Sequence, residues 1–229
     1  EIVRVIERSQ ENIVGTVKIV KKKIMVVPDD NKLNFEVEIP GCDYPNLVDG
    51  HKVVIELLTP IKNIRLGKII KVIGHINDPG IDILSIMAKY DINDVFNDDV
   101  LTSLKDIPSK VSEDDIKGRV DLRNKMIFTI DGDDTKDIDD AISLEKLDDG
   151  NYLLGVHIAD VSNYVKEASP LDIEAANRGT SVYLADRVVP MLPHELSNGI
   201  CSLNPNVDRL AMSCMMKIDN QGRIVHSDI

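Results

Sequence analysis

The chain has 229 residues, 43% hydrophobic and 29% charged. That is enough apolar content for one or two folded domains and too little charge for a disordered chain. No signal peptide and no run of about 18 apolar residues is present, which excludes a membrane-spanning helix from the reading. With five Tyr, three Phe and no Trp, any core has to be built from Ile, Val and Leu. The net charge of −12 argues against nucleic acid as a partner, but its distribution reverses the argument. Residues 1–75 hold 12 Lys+Arg and 10 Asp+Glu, whereas residues 76–229 hold 15 and 29.

Five Val/Ile-rich runs, at 13–20, 24–28, 35–39, 52–58 and 68–73, predict short strands. Turn clusters separate them: Asp29-Asp30-Asn31, Pro40-Gly41-Cys42-Asp43 and Asp49-Gly50. Five such strands in about 75 residues suit a small barrel of the OB type, with an SH3-like barrel left open. Residues 76–118 read as a connecting segment, with a short strand or helix start at 83–88 and a short helix at 93–104. A second domain is predicted over 119–229. Strands are expected at 126–130, 141–147 and 152–161, the last apolar at nearly every position and so central to its sheet. Residues 170–178 predict a helix, with Ser169 as N-cap and Pro170 in the first position. Further strands are expected at 181–184 and 209–218. The chain begins with Glu1 rather than Met, and 223–229 read as a strand in progress, so a piece of a longer protein is expected.

Three cysteines, Cys42, Cys201 and Cys214, are an odd number without metal-type spacing. They read as small buried hydrophobes in a reducing compartment, which places the protein in the cytoplasm. None of His51, His75, His157, His194 and His226 pairs closely in sequence, and His157 reads as a satisfied core histidine.

The informative stretch follows the strand at 126–130. Asp131, Asp133, Asp134, Asp137, Asp139 and Asp140 put six carboxylates into ten positions. Aspartate is a poor strand former, and two carboxylates about 4 Å apart repel by roughly 4 kcal/mol at an effective dielectric near 20. A folded cluster must then raise its pKa values or hold a cation. A solvated acidic loop is one reading. A calcium loop of the EF-hand kind is excluded, because its sixth and twelfth positions, Gly and Glu by rule, are Lys136 and Ile142 here. The third reading is a Mg²⁺ site for phosphodiester cleavage.

The spacing Asp131-x₅-Asp137-x-Asp139-Asp140-Ala141 resembles the catalytic motif of the ribonuclease II/ribonuclease R superfamily. Further blocks are similar in the same order: Gly118–Arg123, Ile158–Ser162, Asn177–Tyr183, Val189–Pro193, Leu196–Pro205 and Asp208–Leu210. Val26-Val27-Pro28-Asp29-Asp30 resembles the cold-shock-like part. The likeness covers nearly the whole chain and is closer to the ribonuclease R branch. It implies a mixed β and α/β fold class: an OB-like (cold-shock) β-barrel over 1–75, a connection over 76–118, and a truncated α/β nuclease (RNB) domain over 119–229.

The same resemblance implies processive 3′→5′ hydrolysis of RNA to nucleoside 5′-monophosphates with Mg²⁺, or Mn²⁺ in its place, and no small-molecule cofactor. The implied partners are single-stranded RNA and also structured RNA, with no membrane. By position, Asp131 and Asp140 are the direct metal ligands, and Asp137 and Asp139 complete the site. Asp139 is the residue whose loss should most reduce the chemistry. Tyr183 matches the aromatic that packs on the 3′-terminal nucleotide, a sequence-tolerant role. Arg178 adjoins that segment as a candidate phosphate contact, and Lys21, Lys22 and Lys23 supply charge on the barrel. The chain stops before the arginine that assists cleavage in the family, the second aromatic clamp and the C-terminal barrel. Two rivals therefore stay open: an RNA-binding piece without catalysis, and a domain that uses the Asp cluster as a structural metal clip.

Overall fold

Runs of β-branched residues broken by turn residues give the first unit its strands. The computed structural model describes residues 12–41, 44–61 and 64–229; Glu1, and Cys42 and Asp43 of the turn expected after Pro40, lie outside the described residues. The chain divides into two compact units, one reaching to Asn93 and the other holding residues 94–183 and 188–229.

The first unit is built on β1 (Ile13–Val20), β2 (Lys23–Pro28), β3 (Val37–Ile39), β4 (His51–Ile61) and β5 (Ile64–His75). They close into a barrel in the order β1-β2-β3-β5-β4. β1 pairs with both β2 and β4, and β3 meets β5 in parallel. That is the OB arrangement, and it removes the SH3-like alternative. The core is aliphatic, as the scarcity of aromatics requires: Val17, Val26, Val37, Val53 and Ile55 are fully buried. Gly15 lies where a Cβ would stand 2.6 Å from the Val27 carbonyl oxygen, so only glycine lets β1 and β2 approach there.

Lys21 and Lys22 form the two-residue β1–β2 turn, with φ of 49° and 67°. Both lie in the left-handed region that this tight hairpin demands and that Asn-Gly fills more easily. Each lysine costs roughly 1 kcal/mol there. Residues 83–88, left between strand and helix by the sequence, belong to helix α1 (Ile81–Lys89). Its Ile81 side chain lies against Gly74 of β5.

The second unit begins with α2 (Asp98–Ser103), capped by the Asn97 side chain, which accepts from Val100 N at 2.9 Å. Its sheet contains β6 (Ile127–Phe128), β7 (Asp140–Lys146), β8 (Tyr152–Ala159), β11 (Ala211–Ile218) and β12 (Ile224–Asp228). The order is β12-β11-β8-β7-β6, with β8 central as its apolar sequence predicts, and every pairing is antiparallel. Helix α3 (Pro170–Arg178) starts where expected: the Ser169 hydroxyl accepts from Asp172 N at 3.2 Å, and Pro170 occupies the first turn. Between α3 and β11 lies a small hairpin of β9 (Val182–Tyr183) and β10 (Val188–Val189).

A helical turn over Glu195–Ile200, to which the sequence reading assigned no element, is anchored in the core by Leu196 and Ile200. That core joins Val100, Leu171, Leu192, Leu196, Ile200 and Leu210. His157 is buried between the Ser143 hydroxyl at 3.0 Å and the Ser213 hydroxyl at 2.8 Å, the satisfied core position expected of it. No helix among the described residues is long and apolar enough to cross a membrane.

One buried ion pair ties the segment before the sheet to the end of β8. Arg119 Nη2 donates to Asp160 Oδ2 at 2.6 Å, and the Asp160 side chain is only 5% exposed. Burial alone would raise the Asp160 pKa, but hydrogen bonds from Ser162 and Arg119 outweigh it and hold the carboxyl below its ordinary 3.8. The stabilisation is therefore present above pH 3.8 and lost as the pH falls through the lower folded value. Arg119→Ala leaves a buried carboxylate without its partner. Urea denaturation at pH 7 is expected to show a loss of about 3 kcal/mol, with wild type and variant converging as the pH falls below 3.8.

Candidate active site

The acidic segment sits where the sheet briefly lets go of the chain. β6 ends at Phe128 and β7 begins at Asp140, so residues 129–139 loop out and return to the β7 edge. A turn closed by Thr135 N donating to Gly132 O, 3.0 Å, carries Asp133 and Asp134. Beyond it the backbone of 136–139 is pinned from outside. Ala159 N, at the end of β8, donates to Asp139 O at 2.9 Å, and Leu203 N donates to Ile138 O at 2.8 Å. The fully buried Ser202 hydroxyl accepts from Ile138 N at 3.1 Å and donates to Lys136 O at 2.8 Å.

Asp139 feels three other carboxylates of this segment. The Asp139 pKa is raised, first because surrounding protein displaces water, then because Asp137, Asp140 and Asp131 carry like charge nearby. The sequence had singled out these four. Tyr183, on β9, joins them: its hydroxyl donates to Asp137 Oδ2 at 3.0 Å while the side chain stays largely exposed. That bond, reinforced by the charges of Asp137 and Asp139, pushes the Tyr183 pKa up.

Arg178 is held elsewhere. Its Nε bonds Glu174 at 2.9 Å, Nη1 the Pro190 carbonyl at 3.2 Å and Nη2 the Val95 carbonyl at 3.0 Å. Its guanidinium stacks 3.9 Å from the Phe96 ring centroid. The side chain is only 10% exposed. The three lysines belong to the barrel unit. Lys21 and Lys22 are exposed at the turn, and Lys23 pairs with Glu38 at 3.0 Å. Sequence reasoning missed Ser202 as a part of the site. It lies inside a block quoted for family likeness, but a lone serine ahead of Leu203 gives no chemical signal of its own.

Among the described residues, no three carboxylate, imidazole or thiolate side chains close into a ligand set. The donor chemistry nevertheless fits a hard divalent cation. Asp139 lies within electrostatic reach of three further carboxylates, and oxygen ligands of full charge are what Mg²⁺ and Mn²⁺ take.

Comparison with known proteins places this geometry. The RNB domain model matches residues 119–229, and the cold shock domain model matches 25–97. Ribonuclease R of Thermotoga maritima is 49% identical over 233 residues, covering 100% of this chain and 33% of the relative. Ribonuclease R of Escherichia coli is 42% identical over 225 residues, 97% of this chain and 28% of the relative. The chain thus spans about a third or less of the length of these curated relatives. The structure of Mycoplasma genitalium RNase R in complex with double-stranded RNA superposes with a TM-score of 0.87 at 31% identity, over 100% of this chain and 40% of that one. Two domain models in sequence, relatives matched along nearly the whole chain and a shared fold agree: the chain belongs to the ribonuclease II/ribonuclease R (RNB) superfamily.

Proposed function

We propose that the protein is a 3′→5′ exoribonuclease that hydrolyses RNA to nucleoside 5′-monophosphates, acting in the cytoplasm on single-stranded and structured RNA. The observation that carries this reading is the Tyr183 hydroxyl donating to Asp137 Oδ2 at 3.0 Å on the acidic loop, where Asp139 feels the charges of Asp137, Asp140 and Asp131. Relatives called ribonuclease R, one of them solved with double-stranded RNA, support RNA as the substrate.

Asp131 and Asp140 would hold Mg²⁺ or Mn²⁺, with Asp137 and Asp139 completing the site. A bound ion supplies positive charge to the scissile phosphate and lowers the pKa of a water. The chain's own residues do the rest. Tyr183 offers an exposed ring face to the 3′-terminal base, and its hydrogen bond to Asp137 fixes that ring beside the carboxylates. Stacking of this kind holds any base, which suits degradation without sequence preference.

Residues 1–75 act as an RNA-binding barrel, 76–118 connect it, and 119–229 supply the first part of the catalytic domain. Lys21 and Lys22 meet phosphates from the strained β1–β2 turn, with Lys23 sharing its charge with Glu38. Arg178 serves RNA indirectly, by tying the strand after Tyr183 to α3 through the Pro190 carbonyl.

The test is 5′-labelled single-stranded RNA incubated with the protein and Mg²⁺, then Mn²⁺. Progressive shortening from the 3′ end is expected, with Asp139→Asn slower by at least about 100-fold. Internal cuts, or equal rates in the two proteins, would sink the assignment. A second comparison isolates the aromatic. Tyr183→Ala is expected to weaken binding of short RNA by about 10-fold, the scale of one lost stack, while Tyr183→Phe keeps the ring and stays near wild type. Equal loss in both variants would move the role from the ring to the hydroxyl.

A further inference from the structure

Four carboxylates of like charge on one short loop repel one another, and a loop with freedom to move would let them splay apart. Residues 136–139 lie outside any strand, so no ladder of sheet hydrogen bonds opposes that motion. What opposes it is a set of single bonds, and the most central comes from Ser202.

The Ser202 side chain is fully buried. Its hydroxyl accepts from Ile138 N at 3.1 Å and donates to Lys136 O at 2.8 Å. These two backbone groups flank Asp137, so one hydroxyl fixes the peptide planes on both sides of that residue. Fixing both planes fixes the direction in which the Asp137 Cα–Cβ bond leaves the backbone. The adjacent Leu203 N holds Ile138 O at 2.8 Å, and with Ala159 N on Asp139 O at 2.9 Å it fixes Asp139 in the same way.

Ser202 is itself anchored. Its carbonyl accepts from Arg209 Nε at 2.8 Å and from Asn204 N at 2.7 Å, and its N–H donates to Gly199 O at 3.2 Å. The helical turn Glu195–Ile200, whose Leu196 and Ile200 are buried, sets that segment into the core. The buried hydroxyl thus makes both a donor and an acceptor bond, and its removal would leave two backbone groups without this partner.

We infer that Ser202 is a positioning residue of the carboxylate site: its hydroxyl clamps the backbone on both sides of Asp137 and so holds Asp137 and Asp139 where a divalent cation can use them. The inference rests on the functional reading given above, and it concerns preorganisation, since Ser202 touches neither the ion nor the RNA.

The test compares the full chain with Ser202→Ala, using Mn²⁺ alone as the probe. Calorimetric titration and the Mn²⁺ electron-spin signal read affinity directly, and hydrogen exchange reads the backbone of 136–139. Ser202→Ala is expected to bind Mn²⁺ roughly 10- to 100-fold more weakly, the effect of losing an outer support of a ligand, and to exchange faster at 136–139. On RNA it should lower kcat and leave KM near wild type, because Tyr183 and the barrel are intact.

Unchanged Mn²⁺ affinity in Ser202→Ala, with wild type binding normally, overturns the inference alone. A wild-type protein that binds no Mn²⁺ overturns the functional reading and this inference with it. If Ser202→Ala does not fold, Ser202→Cys keeps a slightly larger side chain in the same place and weakens both hydrogen bonds. Weaker Mn²⁺ binding in that variant then supports the clamp, and wild-type binding contradicts it.

Discussion

Like charge on Asp131, Asp137, Asp139 and Asp140 is the constraint that the acidic loop between β6 and β7 has to accommodate. Lost hydration first, and then these like charges, raise the pKa of Asp139, so the loop carries unfavourable electrostatic energy. The contacts that hold the backbone of this loop come from groups that carry no charge: the Ser202 hydroxyl and the backbone N–H groups of Leu203 and Ala159.

The sheet explains how those neighbours arrive together. β8 is central, so its end at Ala159 is held on both sides by β7 and β11. Asp140 opens β7 directly opposite Ile158 of β8, which puts the acidic loop at the most constrained corner of the sheet. Just past β8, Asp160 accepts from Arg119 and from Ser162, and its backbone N donates to Leu210 O at 2.9 Å. The rigid corner thus lies beside the acidic loop, a division of labour that suits the catalytic role proposed for these carboxylates.

Much of this was legible in the sequence, for local reasons. β1 runs from Ile13 to Val20 as its Val/Ile content predicts, and α3 runs from Pro170 to Arg178 because Ser169 and Pro170 announce its start. The acidic loop itself was legible, because six aspartates fall within ten positions directly after an apolar run. What stayed hidden depends on tertiary contacts. Barrel topology required the β1–β4 and β3–β5 pairings, which no single strand reveals. Arg178 read as a candidate phosphate contact beside the Tyr183 segment, but the carbonyls that engage it, at Val95 and Pro190, are brought to it by the fold. Ser202 is 64 positions from Ile138, whose N–H it receives, and nothing local marks the pair.

The most direct test of this account is thermal unfolding of wild type and Asp139→Asn without metal and across a Mn²⁺ titration. If the four carboxylates share one cation site, removing one charge relieves repulsion, and the metal-free variant melts at a higher temperature than metal-free wild type. Adding Mn²⁺ then raises the wild-type melting temperature progressively, by an amount equivalent to about 2.7 kcal/mol at a hundred times the dissociation constant, and raises the variant far less. A wild-type melting temperature indifferent to Mn²⁺, together with a variant no more stable than wild type in its absence, would contradict the claim that these aspartates form one site.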